Sequence, residues 1–230
     1  MSKVSVVIPA YNEEKYIEKC LDSLMQQTVS PAEIIVVNNN SKDKTVELTK
    51  KYPVKIVNEK TQGLIPARNR GFNEAKHEII ARTDADSIVP KDWIEKITLT
   101  FNSNDIVGLA GPISFFETPN ARIKTFIQKI GYFKFAKALL GHDVMNGPNM
   151  IITKEAWRKV KNNVNLDDKK VHEDLDISMH ISVHGKILFI NDLSVLVSGR
   201  RFNSNLKSLL IDYPHRMIKT LLNKPNNLKT

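Results

Sequence analysis

Hydrophobic residues occur along the first half of the chain in short blocks separated by polar stretches. Residues 34–37 form a continuous apolar run, and residues 4–8 form one interrupted only by Ser5. Both are rich in β-branched side chains, which is typical of strands buried on both faces of a parallel sheet. Between them, isoleucine and leucine recur at helical spacing across residues 13–27. The pattern therefore predicts a strand, a helix and a second strand, with Asn12 as the cap of the helix.

The same alternation continues, with helices predicted at 41–51, 66–76 and 90–101 and strands at 54–57 and 79–83. Farther along, the pattern predicts strands at 106–109, 150–152, 186–190 and 194–197. It also predicts two helices, one that begins at residue 154 and one that ends at residue 184. Strands that alternate with helices indicate an α/β fold with an open, mostly parallel sheet flanked by helices.

Polar clusters follow three of the predicted strands, at residues 10–13, 38–41 and 84–86. In open α/β sheets, ligands bind beyond the carboxyl ends of the strands. We therefore expect these three clusters to meet at one rim of the sheet.

Length and composition limit the class of protein. The 230 residues fit one domain, here predicted as 1–199, followed by a basic and helical tail at 200–230. Cys20 is the single cysteine, which excludes an internal disulfide. No export signal is visible, and the apolar runs are shorter than the ~20 residues that span a bilayer. We expect a cytoplasmic protein.

The net charge of +9 comes from two segments. Residues 118–142 carry five basic side chains and no acidic one, and residues 200–230 carry seven against one. Both segments have an apolar stripe at helical spacing, which suits either packing on the sheet or binding to an anionic membrane surface. Neither contains a recognisable nucleic-acid motif, so we expect no nucleic acid as a partner.

The sequence Asp84-Ala85-Asp86 is the strongest candidate for chemistry, although an Asp-x-Asp alone also fits a solvated turn. The chain has neither of the glycine-rich phosphate loops that usually bind nucleotides on such sheets. A divalent Mg or Mn ion on these carboxylates would offset the charge of a diphosphate instead.

Four motifs in order resemble the catalytic domain of glycosyltransferase family 2, which has the GT-A fold. They are residues 6–13 (VVIPAYNE), 35–45 (IVVNNNSKDKT), 63–71 (GLIPARNRG) with the following Asp84-Ala85-Asp86, and Glu173-Asp174. The resemblance covers roughly residues 4–200. The resemblance implies a GT-A nucleotide-binding sheet and a nucleoside-diphosphate sugar as the donor.

The resemblance also implies roles for individual residues. The nucleoside pocket would be lined by Pro9, Tyr11, Glu13, Asn39 and Asp84. Asp86, with Asp84 beside it, would bind the Mn or Mg ion, and Arg68 would lie near the nucleotide, on a phosphate or on Asp84. The alternative for Arg68 is a charge on a helix surface.

Asp174 resembles the catalytic base of the family, with Glu173 beside it, although both also suit the start of a helix. Arg200 and Arg201 would stabilise the leaving diphosphate together with the metal. Asp174 would deprotonate an acceptor hydroxyl, and a single displacement would invert the configuration at the anomeric carbon of the sugar.

Two features depart from the family. Many members have Asp where this chain has Asn38 or Asn39, and no histidine occurs in residues 195–201, where some members supply one to the metal. The acceptor is expected to be a lipid-linked or cell-envelope glycan, which would place the protein in the cytoplasm or at the inner face of the cytoplasmic membrane. Open alternatives are a silent adaptor domain, transfer to a polyprenyl phosphate, and a sugar nucleotidyltransferase.

Overall fold

The computed structural model describes residues 2–101, 105–167, 170–200 and 213–222. Its first half follows the predicted alternation of strands and helices. The elements are β1 (Val4–Ala10), α1 (Ile17–Met25), β2 (Glu33–Asn38), α2 (Thr45–Thr49), β3 (Lys55–Asn58), α3 (Leu64–Glu74), β4 (Ile79–Arg82), β5 (Ser87–Ile88) and α4 (Trp93–Thr100).

The second half is less regular. Its elements are β6 (Ile106–Ala110), β7 (Ile113–Phe116), α5 (Ala121–Ile127), a π-helical segment (Gln128–Lys134), α6 (Phe135–Leu140), β8 (Met150–Thr153), α7 (Lys154–Val160), α8 (Glu173–Ser182), β9 (Lys186–Phe189), β10 (Val195–Ser198) and α9 (Tyr213–Leu222). The sequence pattern did not reveal β5 and β7.

Seven strands form one sheet in the order β3-β2-β1-β4-β8-β6-β9. Its pairs are parallel except those of β8, which runs antiparallel to both β4 and β6. The three short strands β5, β10 and β7 form a second sheet. The α/β fold with an open, mostly parallel sheet is therefore confirmed.

Helices cover both faces of the large sheet and bury one tryptophan on each side. Trp93 at the start of α4 donates its indole N–H to Asn149, and Trp157 in α7 donates to Asn73. A buried indole needs such a partner, since an unpaired donor loses its hydrogen bond to water. Each contact ties a helix to a part of the chain that is distant in sequence.

The first helix begins later than predicted. α1 starts at Ile17, and Asn12 does not cap it, because Asn12 adopts a left-handed backbone (φ 55°) and its side chain accepts a hydrogen bond from the Lys42 amide at 2.8 Å. Asn12 thereby joins the turn after β1 to the turn after β2. The prediction that Asn12 caps the first helix was therefore wrong, and Asn12 instead lies at the rim of the sheet.

The basic segment of residues 118–142 is divided between packing and exposure. Phe133 and Ala136 are buried against the core, whereas Ile123, Phe126 and Phe135 are more than half exposed. In the described part of the tail, Thr220 of α9 accepts a hydrogen bond from the backbone N–H of His172. Among the described helices, none has the length and apolar character needed to cross a bilayer.

Candidate functional site

The turns after β1, β2 and β4 meet at the carboxyl edge of the sheet, as predicted. A pocket with a volume of about 210 Å³ opens there. Six of the residues predicted to bind the donor or the metal are among those that line it, namely Pro9, Tyr11, Glu13, Asn39, Asp84 and Asp86. Residues distant in sequence are thus brought to one concave surface.

Asn39 orders the wall of this pocket. Its amide nitrogen donates to the carbonyl oxygens of Glu59 (3.0 Å) and Thr61 (2.7 Å), and its amide oxygen accepts from the Gly63 N–H at 2.9 Å. An aspartate could not donate to the two carbonyls, because an ionised carboxylate only accepts. The amide that departs from the family pattern therefore fits its surroundings in this chain.

Arg200 lies two residues after the end of β10, beside two acids of the pocket. Its Nη2 is 3.1 Å from Asp86 Oδ2 and also donates to Glu13, and its guanidinium lies 4.7 Å from the centre of the Tyr16 ring. Burial opposes its charge, but these carboxylates outweigh burial and raise the pKa of Arg200. Arg200 thus contacts two acids of the pocket without lining it, and its role toward the diphosphate stays a prediction, while Arg201 falls outside the described residues.

Arg82, at the end of β4, is a site residue that the sequence analysis missed. It is 1% exposed, its Nη2 lies 2.9 Å from Asp84 Oδ1, and its Nη1 donates to Glu173. An arginine is almost never fully buried without a partner. A charged residue within the apolar run that precedes Asp84 was therefore the signal for a buried ion pair.

Glu173 and Asp174, at the start of α8, have unequal surroundings. Glu173 receives both Arg82 and Arg68, with Arg68 Nη1 at 2.5 Å, whereas Asp174 Oδ1 lies 3.9 Å from Arg82 Nη1. Burial disfavours the charge of Glu173, but the two arginines outweigh it and hold the pKa of Glu173 well below its usual range. Burial and the charge of Glu173 raise the pKa of Asp174.

Arg68 is completely buried, so the alternative that it is a helix-surface charge is wrong. Besides Glu173, it donates to the side chain of Asn69 at 2.9 Å. The arginine that pairs with Asp84 is Arg82 rather than Arg68. A direct contact between Arg68 and the nucleotide stays a prediction.

The donor set fits a divalent cation only if the substrate completes it. Asp84 and Asp86 supply carboxylate oxygens at the pocket, and within residues 2–101, 105–167, 170–200 and 213–222 no group of three acidic, histidine or cysteine side chains could hold a metal. Mg and similar ions are commonly bound by one or two carboxylates with substrate phosphates and water. The residues present therefore suit an ion that arrives with a diphosphate.

Comparison with known proteins assigns most of the chain to one family. Residues 5–160 match the model described as glycosyl transferase family 2. The uncharacterized glycosyltransferase EpsJ of Bacillus subtilis is 36% identical over 112 residues, which cover 46% of this chain and 33% of EpsJ. The glycosyltransferase GlyG of Streptococcus pneumoniae is 24% identical over 222 residues, covering 89% of this chain and 73% of GlyG.

Solved structures share the fold. S. aureus TarS, solved with UDP-GlcNAc, superposes with a TM-score of 0.66 at 21% identity, over 86% of this chain and 59% of the TarS chain. Glucosyl-3-phosphoglycerate synthase from Mycobacterium tuberculosis, solved with Mn²⁺, UDP and phosphoglyceric acid, gives a TM-score of 0.67 at 17% identity, over 98% and 80%.

This chain spans only 33% of EpsJ and 59% of the TarS chain. The superpositions confirm the GT-A fold that the resemblance implied. The family model covers well over half of the chain, and the residues that line the pocket lie within the matched region. The chain therefore belongs to glycosyltransferase family 2.

Proposed function

We propose that the chain is an inverting, divalent-metal-dependent glycosyltransferase that moves a sugar from a nucleoside-diphosphate sugar to an acceptor hydroxyl. The observation that carries the proposal is the asymmetry of the acidic pair. Two buried arginines neutralise Glu173, while the pKa of Asp174 is raised. A base works best when its pKa lies near the working pH, so Asp174 is suited to take a proton.

The donor would bind in the pocket below Tyr11 and Asn39, with its diphosphate near Asp86 and Arg200. TarS was solved with UDP-GlcNAc and a Pyrobaculum calidifontis mannosyltransferase with GDP-Man and Mn²⁺, which supports a nucleoside-diphosphate sugar here. Asp86, with Asp84, would hold the cation, which when bound neutralises the diphosphate. Arg200 can exchange Asp86 for phosphate oxygens, since a guanidinium binds both groups in similar geometry.

Transfer then needs a base on the acceptor side. Asp174 takes the proton of the acceptor hydroxyl while that oxygen attacks the anomeric carbon and the bond to the diphosphate breaks. The acceptor and the leaving group lie on opposite faces of the sugar, so one displacement inverts the anomeric centre. An ionised phosphate acceptor would need no base, and the raised pKa of Asp174 favours a hydroxyl.

The test is release of nucleoside diphosphate from a panel of UDP- and GDP-sugars, with water as the acceptor, in MnCl₂, MgCl₂ or EDTA. We expect release only with a divalent cation, and its loss in Asp86→Asn. Glu155→Gln is the matched control, because Glu155 is an exposed acid on α7, away from the pocket residues, and forms an ion pair with Lys159. Release that does not need a divalent cation would refute the proposed metal dependence. Donor binding without release of nucleoside diphosphate would favour the adaptor alternative.

We also propose that the protein works at an anionic membrane surface, on a lipid-linked or cell-envelope acceptor. The segment of residues 118–142 presents Phe126 (64% exposed) and Phe135 (55% exposed) beside basic side chains, with no acid in the segment. Exposed aromatic side chains favour the lipid interface, and each Lys or Arg near an anionic surface adds about 1 kcal/mol. The positive charge and the exposed apolar surface of this segment thus both favour binding to an anionic membrane.

Co-sedimentation with vesicles tests this second proposal. The chain should sediment with phosphatidylglycerol vesicles and not with phosphatidylcholine vesicles, and Phe126→Ser combined with Phe135→Ser should abolish binding. Leu99→Ser is the matched control, since Leu99 is 59% exposed but lies on α4. Equal sedimentation of all three proteins, or none with the wild type, would contradict the proposal.

A further inference from the structure

Arg82 joins two acidic motifs that are about 90 residues apart in the sequence. Its Nη2 holds Asp84, which lines the donor pocket, and its Nη1 holds Glu173, which precedes the proposed base. The strand β4 places the guanidinium between the two sides of the site. The side chain is therefore positioned to couple donor binding to the acceptor side.

The surroundings of Arg82 leave little room for another arrangement. A Cβ atom on Gly147 would lie 2.5 Å from Arg82 Nη2 and 2.9 Å from Cζ, so a glycine is needed where the guanidinium crosses the 146–149 loop. The side chain of Arg82 is also 1% exposed. The two Nη nitrogens of Arg82 are thus confined by the 146–149 loop as well as by the carboxylates that they bind.

Arg68 provides an internal comparison. It is equally buried and also binds Glu173, but its other partner is Asn69 rather than a pocket residue. Burial alone therefore does not distinguish the two arginines. The contact with Asp84 does.

On the basis of the proposed function, we infer that Arg82 is a positioning residue for both the donor side and the acceptor side of the site. It orients Asp84 for the donor, and it holds Glu173 so that Asp174 faces the acceptor. Arg68 supports Glu173 alone. A planar fork can hold two carboxylates at once, whereas the single ammonium of lysine cannot reproduce that geometry. Donor affinity and base function should therefore fail together when the fork is lost.

The experiment compares Arg82→Lys with Arg68→Lys in the full chain, using UDP and GDP with MnCl₂ as probes. Calorimetry should show nucleotide affinity about tenfold weaker in Arg82→Lys, as expected for one lost charge-assisted hydrogen bond. In Arg68→Lys, affinity should stay within about twofold. Donor hydrolysis should slow in both variants.

The pH profile gives a readout that a merely structural role would not move. Burial and Glu173 raise the pKa of Asp174, whereas the charge of Arg82 and a hydrogen bond from the Gly147 amide lower it. Lysine keeps the charge, but its shorter side chain draws the cation away from Asp174, so the acid limb of kcat for hydrolysis should move to higher pH in Arg82→Lys. The limb should stay in place in Arg68→Lys, since Arg68 is not among those groups.

Gly147→Ala is the second variant, and it decides by nucleotide affinity if Arg82→Lys fails to fold, because its Cβ would displace the guanidinium without changing any charge. Equal nucleotide affinities in the Arg82 and Arg68 variants would overturn the inference, as would an unmoved acid limb in Arg82→Lys. Wild-type chain that neither binds nucleotide nor hydrolyses donor would instead refute the proposed function, so the two failures are distinguishable.

Discussion

The two acidic pairs of the site, Asp84 with Asp86 and Glu173 with Asp174, look alike in sequence but differ inside each pair. Arg82 holds one member of each, Asp84 and Glu173, from within the protein. Of the other two, Asp86 faces Arg200, whose side chain is 34% exposed, and Asp174 lies 3.9 Å from the nearest arginine nitrogen. Each pair thus combines a carboxylate anchored by Arg82 with one that, under the proposed function, is directed to a ligand.

The difference follows from the cost of burying charge. A carboxylate taken out of water is stable only when a cation or hydrogen-bond donors replace the lost solvation. Where that compensation is complete, as at Glu173, the group is a poor base. Where it is incomplete, as at Asp174, the proton affinity rises and the group becomes useful for chemistry.

The largest expected effect comes from changing the two members of the second pair separately. Asp174→Asn should slow donor turnover by about 10³-fold, within the range for a lost general base. Its nucleotide affinity should stay close to that of the wild type, because Asp174 is not among the residues that line the donor pocket. Turnover and calorimetry measure the two quantities.

Glu173→Gln should act mainly on folding. It leaves Arg68 and Arg82 without their shared carboxylate, and breaking a buried ion pair in this way costs about 3–5 kcal/mol. Chemical denaturation of both variants measures the difference. If Glu173→Gln stayed as stable as Asp174→Asn, the division of roles within the pair would be wrong.

Much of the donor half was predictable from sequence, because local signals there agree with the tertiary structure. The apolar runs that became β1, β2 and β4 are buried on both faces, and short polar turns follow them. Pro9, Tyr11, Asn39 and Asp84 could therefore be placed at one rim by topology alone. The resemblance to a family then suggested their roles.

The ion pairs could not be predicted in the same way. Arg82 and Glu173 are 91 residues apart, and no periodic pattern records which arginine meets which acid. Strands β5 and β7 were missed because a two-residue strand and a half-exposed one carry little pattern of their own. Their pairing with β10 is a tertiary effect that overrides local preference.

In the first pair, the effects of changing Asp84 and Asp86 should differ less than those of changing the two members of the second pair. The quantity to measure is Mn²⁺ affinity in the presence of UDP. We expect Asp86→Asn to weaken Mn²⁺ binding by at least about tenfold, since even outer partners of metal ligands contribute 10- to 100-fold. Asp84→Asn should weaken it less, because Asp84 already accepts from Arg82. Paramagnetic resonance of the free ion reports both, with Glu155→Gln as the control.

A larger loss of Mn²⁺ affinity in Asp84→Asn than in Asp86→Asn would reverse the assignment. It would mean that Arg82 releases Asp84 when the ion binds. In that case the anchored member of the first pair, rather than the ligand-directed one, would carry the metal.

The smallest expected effect is on the pH dependence of stability, where the two members of the second pair act in opposite directions. The pKa of Glu173 is lowered in the folded state, so its contribution to stability is present at neutral pH and is lost as the pH falls. The pKa of Asp174 is raised, so its contribution is present at low pH and is lost as the pH rises through the folded-state value.

Asparagine at position 174 cannot ionise and should remove that second dependence. Relative to the wild type, Asp174→Asn should therefore gain free energy of unfolding as the pH rises above about 4, by about 1.4 kcal/mol for each unit by which folding raises the pKa. Urea denaturation of both proteins across pH 4–8 measures the difference. A difference that stays constant with pH would mean that Asp174 ionises as readily in the folded chain as in the unfolded one, and the contrast between the two carboxylates would then rest on geometry alone.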